Sequence, residues 1–90
     1  MKNGVETKKR VSFYLRIPEA KEIYLAGDFN NWDKSSLPLN RDSKGAWRKT
    51  LTLKKGEYQY RYIVDGEWYT DPNKEQCPNP FGTQNNLLKV

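Results

Sequence analysis

The chain has 90 residues, enough for one domain and too few for two. With 36% hydrophobic and 30% charged residues it has the composition of an ordinary folded domain rather than a disordered segment. There is no histidine and one cysteine, Cys77, so an internal disulfide, the common zinc sites and any Ser-His or Cys-His nucleophilic pair are excluded.

The net charge of +5 raises the question of a polyanionic partner. The basic residues form only short clusters, Lys8-Lys9-Arg10 and Lys54-Lys55, and otherwise alternate with Asp and Glu, which reads as solvated surface and not as a nucleic-acid footprint. Met1 to Arg10 is polar and lacks the apolar core of a secretory signal, and no apolar run is long enough to span a membrane. A cytoplasmic location is expected, with residues 1–10 as a flexible segment and 11–90 as the folded module.

In chain order the elements read as strands. Val11 to Ile17 alternates, with Val11, Phe13, Leu15 and Ile17 on one face, until Pro18 stops it. Glu22 to Ala26 repeats the pattern through Ile23 and Leu25, and Gly27 closes it. Trp47 to Leu53 places Trp47, Leu51 and Leu53 on one parity together with Lys49, whose charge predicts a bulge or an edge position there. Glu57 to Val64 sets Tyr58, Tyr60, Tyr62 and Val64 against Gln59, Arg61 and Ile63. Asp65-Gly66 then predicts a type I′ hairpin turn, and Asn86 to Val90 is a last short strand. Several short strands and no helical period imply an all-β, immunoglobulin-like antiparallel β-sandwich in a single domain. Two long connections remain, Asp28 to Ser36 and Tyr69 to Gln84, the second carrying three of the five prolines. Long ordered loops tend to carry function.

Aromatic residues are first read as core. Trp47 shares a strand face with Leu51 and Leu53, the tyrosines of 58–62 pack inward with hydroxyls at the rim, and Phe13 and Phe29 serve as core or loop anchors. Trp32 and Trp68 stand apart. Trp32 lies among Asn30, Asn31, Asp33 and Lys34, and Trp68 directly follows the hairpin turn. Exposed indoles beside amides and hydroxyls suit the C–H face of a sugar ring, with Arg61, Thr83 and Asn85 as nearby polar candidates. Paired carboxylates for glycoside hydrolysis could be sought among Asp28, Asp33, Asp65, Glu67 and Asp71. Asp33, Asp65 and Asp71 read as turn or cap residues, and so small a domain cannot enclose a sugar ring. No catalytic residue, metal site or cofactor is expected.

Five segments, PEAKEIYLAGDFNNWD at 18–33, LPLNR at 37–41, GAWRKTLTL at 45–53, GEYQYRYIVDGEWYTDP at 56–72 and FGTQNNLLKV at 81–90, are more specific in combination. With them the chain resembles carbohydrate-binding module family 48, which includes the glycogen-binding domains of AMP-activated protein kinase β subunits and the N-terminal modules of isoamylases and glucan branching enzymes. The resemblance implies an early-set immunoglobulin-like sandwich that binds α-1,4-linked glucans (glycogen, starch, maltooligosaccharides) on one face without catalysis. It also implies roles by position: Trp32 and Trp68 stack on glucose rings, Arg61 bonds sugar hydroxyls, Phe81 projects into the curve of the oligosaccharide, and Thr83 and Asn85 add polar contacts. Family members often have lysine where this chain has Arg61 and leucine where it has Phe81; both changes keep the chemical type. The alternative reading is a protein-interaction module that docks onto a kinase or glucan-processing enzyme.

Overall fold

The computed structural model of the protein describes residues 7–90. The strands are β1 (Lys8–Arg16), β2 (Ile23–Gly27), β3 (Asn40–Arg41), β4 (Ala46–Lys54), β5 (Glu57–Val64), β6 (Glu67–Tyr69), β7 (Gln76–Pro78) and β8 (Gln84–Lys89), with one 3-10 turn at Asp28–Asn30. All pairings are antiparallel and make two sheets, one ordered β1-β4-β3 and one ordered β2-β5-β8-β7, with β6 also on β5. Because β2 occupies one side of β5, β6 and β8 share the other, β8 along its first half and β6 along its last.

The two sheets form a sandwich because β1, β4 and β5 turn alternate residues inward. Phe13 and Leu15 of β1 and Trp47 and Leu53 of β4 meet Ile23 and Leu25 of β2 and Tyr60 and Tyr62 of β5 in one buried cluster. The Trp47 indole N–H donates to the Ile17 carbonyl at 3.2 Å, so the ring is satisfied in its buried place. Burial raises the phenol of Tyr60 to about 12, with nearby Asp71 adding to the effect, and burial likewise moves Tyr62 upward. Both therefore stay neutral across the physiological range and serve the core.

Several expectations about the strands are corrected. β1 begins at Lys8, and Lys8, Lys9 and Arg10 pair with Lys54, Leu53 and Thr52, so these three residues are strand and not a flexible lead. Residues 1–6 of the expected flexible segment lie outside the described residues. Of the two positions expected for Lys49, the edge is found and the bulge is not: the ladder from Lys8↔Lys54 to Arg16↔Ala46 is unbroken. β3 covers β4 only at Trp47 and Arg48, so Lys49 lies on an open edge where its half-buried stem can reach water.

The connection 69–84 contains β7, which its prolines and polar residues conceal from a periodicity reading. The segment 71–75 that leads into β7 is held by Asn86, a fully buried amide on β8. Its Oδ1 accepts the Asp71 N–H at 2.8 Å, and its Nδ2 donates to the carbonyls of Asp71 and Glu75. Asn86→Leu keeps the volume but orphans these backbone groups, which costs about 1–3 kcal/mol per unsatisfied buried group. A lowered midpoint in denaturant, with an unchanged slope, is the expected result.

Candidate functional site

The outer face of the five-stranded sheet carries an open groove of about 870 Å³. Trp32, Arg61, Trp68, Phe81, Thr83 and Asn85 all line it, together with Asp28, Gln59, Pro78, Asn79 and Pro80. Residues from the 28–36 loop, the centre of β5, the β5–β6 hairpin and the 79–83 turn are thus brought to one place.

Its floor is set by strand alternation. The tyrosines of β5 face the core, so Gln59, Arg61 and Ile63 face outward. Ile63 is nevertheless buried, because its cross-strand partners Tyr24 on β2 and Trp68 on β6 flank it on both sides. Trp68 follows the predicted turn, in which Asp65 (φ 49) and Gly66 (φ 87) both adopt positive φ. Asp65 also accepts the N–H groups of Lys21 and Glu22 at 2.8 and 2.9 Å, and these bonds hold its carboxyl below the usual carboxylate range.

Arg61 lies across from Ala26, whose small side chain leaves the guanidinium room. Its Nε donates to Thr70 Oγ1 at 2.8 Å, and Thr70 in turn donates to the Gln84 carbonyl at 2.6 Å. The guanidinium carbon sits 5.4 Å from the centre of the Trp68 ring, a cation–π contact. Partial burial lowers its pKa without threatening its charge. Among the described residues its two terminal nitrogens make no hydrogen bond.

Trp32 is half-buried, less exposed than a polar loop suggests, because it packs on Trp68 with ring centres 6.2 Å apart and planes tilted by 59°. Its own backbone has φ 58, following Asn31 at φ 56, a left-handed pair that is unusual for a bulky residue. The Asn30 side chain over-determines this turn: Oδ1 accepts the Gly27 N–H, and Nδ2 donates to the Asp33 carbonyl and to Ser36 Oγ. Gly27 is required beneath it, since a Cβ there would lie 2.6 Å from the Gln59 carbonyl oxygen.

The far wall is organised by Asn79, which the sequence reading does not single out. Its Oδ1 accepts the N–H groups of Phe81 and Thr83, and its Nδ2 donates to Thr83 Oγ1 at 2.7 Å and to Asn85 Oδ1 at 3.0 Å. Asn85 passes the chain on to Gln59 Oε1 at 3.0 Å. Phe81 projects from this turn with 88% of its surface exposed. The Asn-Pro-Phe-Gly stretch at 79–82 is a turn signal that could have revealed Asn79.

Chemically the groove offers two tilted apolar plates, one cation and a row of amides and hydroxyls. Asp28 is the only carboxylate among its lining residues, and both its oxygens are engaged, by the Trp32 indole N–H and the Gln59 N–H. Two opposed carboxylates, which glycoside hydrolysis needs, do not converge there. A second groove of about 410 Å³ on the other sheet is lined by Asn40, Arg41, Asp42, Arg48, Lys49 and Thr50. It has no aromatic plate, and its Asp42 and Arg48 pair with each other at 3.6 Å. No helix among the described residues is long and apolar enough to cross a membrane.

The family described as the glycogen recognition site of AMP-activated protein kinase matches residues 13–90. The chain is 46% identical over 70 residues to 5'-AMP-activated protein kinase subunit beta-1 of Sus scrofa, covering 78% of this chain and 55% of that sequence. The Homo sapiens beta-1 subunit is also 46% identical over 70 residues, and the Mus musculus beta-2 subunit 40%. The aligned segment spans 78% of this chain but only 25% of each of those two subunits.

Proposed function

The chain belongs to the family of glycogen recognition sites of AMP-activated protein kinase, and from that premise we propose that its groove is the surface that binds α-1,4-linked glucans, without catalysis. The observation that carries the proposal is the convergence of Trp32 and Trp68, at 6.2 Å and 59°, beside Arg61 and the Phe81 turn. Two plates at that tilt match successive glucose rings of a curved chain, whereas a flat β-linked glucan would contact only one of them.

Each residue then has a role. Trp32 and Trp68 stack on the C–H faces of glucose units. The terminal nitrogens of Arg61 donate to sugar hydroxyls, Phe81 enters the concave side of the chain, and Thr83 and Asn85 supply polar contacts to its rim. Residues 11–90 are the binding module, with β1 reaching back to Lys8. The relatives are named as kinase subunits, and on that ground the chain is proposed to act in the cytoplasm beside a protein kinase partner.

The test is retention in a native gel containing glycogen, run over a range of salt. The proposed contacts are stacking and hydrogen bonds to neutral hydroxyls, so retention should change little with ionic strength. Binding to a phosphate backbone through six to ten contacts would weaken about a thousandfold or more between 50 and 200 mM salt. Retention that collapsed with salt, or no retention at any salt, would refute the glucan reading.

A further inference from the structure

We propose that Asp28 is a positioning residue of this groove, its carboxylate fixing the angle at which the Trp32 indole meets the ligand; the role rests on the glucan-binding reading above. The reason begins in the sheet. β2 stays paired with β5 as far as Gly27↔Tyr60, and the next residue turns away into the 3-10 turn. The N–H of Gln59, one step beyond that last pair, has no partner residue on β2. Asp28 Oδ2 takes that N–H at 2.7 Å, so the side chain continues the ladder where the strand has left. Its other oxygen, Oδ1, accepts the Trp32 indole N–H at 3.0 Å. One carboxylate therefore ties a ring on a loop to the central strand of the sheet.

Trp32 needs such a tie. Its backbone is held by the bond from its own N–H to the Gly27 carbonyl at 2.9 Å and by the Asn30 side chain. None of those bonds restrains rotation of the ring. Asp28 does, and it does so before ligand arrives, with the 59° tilt to Trp68 already in place. A ring freed to sample other rotamers would have to be ordered on binding, which weakens affinity by about three- to tenfold for one immobilised side chain. A carboxylate suits the task better than an amide, because it accepts two N–H groups at once with no donor of its own.

The experiment compares Asp28→Ala and Asp28→Asn in the parent and in a Trp32→Phe background, using β-cyclodextrin calorimetry, thermal melts and exchange of the Trp32 indole proton by NMR. Asp28→Ala should weaken binding three- to tenfold in the parent, with Asp28→Asn between the two because one acceptor oxygen survives. The phenyl ring of Trp32→Phe has no N–H, so in that background Asp28→Ala should cost nothing further. Indole exchange, measured without ligand, should speed up in Asp28→Ala. Equal losses in both backgrounds would mean that Asp28 touches sugar or only supports the fold, and would overturn the proposal. Unchanged affinity in the parent, or unchanged indole exchange, would overturn it as well. Should Asp28→Ala not fold, Asp28→Asn carries the same comparison. A parent that fails to bind β-cyclodextrin would refute the function reading instead, while the ligand-free exchange would still decide whether Asp28 holds the ring.

Discussion

Trp32→Ala and Trp68→Ala are each expected to leave a folded domain whose affinity for β-cyclodextrin falls by about tenfold or more, the equivalent of about 1.4 kcal/mol. Neither ring belongs to the buried cluster between the sheets: Trp32 is half-buried and Trp68 is 42% exposed. Surface changes usually move stability by about 0.5 kcal/mol or less. Trp68 will sit above that figure, since its removal uncovers Ile63, its cross-strand neighbour. Phe or Tyr at either position should restore part of the affinity because a flat ring remains. At position 32 the recovery should be smaller, as the N–H that Asp28 accepts is gone. Arg61→Lys should be mild for the sugar but should lose the Nε bond to Thr70, and Arg61→Ala should be worse. Calorimetry with thermal melts of each variant measures both quantities. Folded tryptophan variants that bind like the parent would leave the groove without a ligand.

Trp47→Ala should do the reverse and damage the fold first. The ring is 6% exposed, lies in the core with Leu15, its cross-strand partner, and donates its N–H to the Ile17 carbonyl. Deleting a buried aromatic of this size costs about 3–5 kcal/mol. A domain of this length has in total about 5–13 kcal/mol. The expected result is a large drop in melting temperature, with binding at low temperature near that of the parent for whatever fraction stays folded. A variant with parental stability and no glucan binding would reverse the roles assigned to the three tryptophans.

Alternation alone was sufficient to place β1, β2, β4 and β5 and to put Trp47 in the core, because a period of two leaves one face to bury and a one-residue slip would expose it. The Asp65-Gly66 turn was equally legible, since few residue pairs adopt positive φ twice in succession. Local pattern could not locate β3 or β7, which are two and three residues long and exist through partners distant in sequence. Nor could it show that Asn86, placed in the last strand, is buried, since the complete burial of this polar residue is possible only because Asp71 and Glu75 come to it across the fold.

The site divides in the same way. Trp32 and Trp68 stood out as aromatic residues outside any core pattern, with Arg61, Thr83 and Asn85 as polar candidates beside them, and the resemblance to a glucan-binding family added Phe81 and a role for each. That the six line one groove is a property of the sheet: β5 carries Arg61 at its centre, β6 folds Trp68 back over the same face, and β8 presents Asn85 next to Gln59. Asp28, a candidate only as a hydrolytic carboxylate, and Asn79, marked only by its turn signal, could not be recognised from the chain alone as supports of the groove, for a physical reason. Each acts by hydrogen bonds whose far ends, Gln59 for one and Asn85 for the other, are set by strand pairing and not by neighbours along the chain. Composition and alternation thus determined a small β-sandwich with two spare indoles, while the angle between those indoles and the groups that hold it were decided only when the sheet brought β2, β5 and β8 side by side.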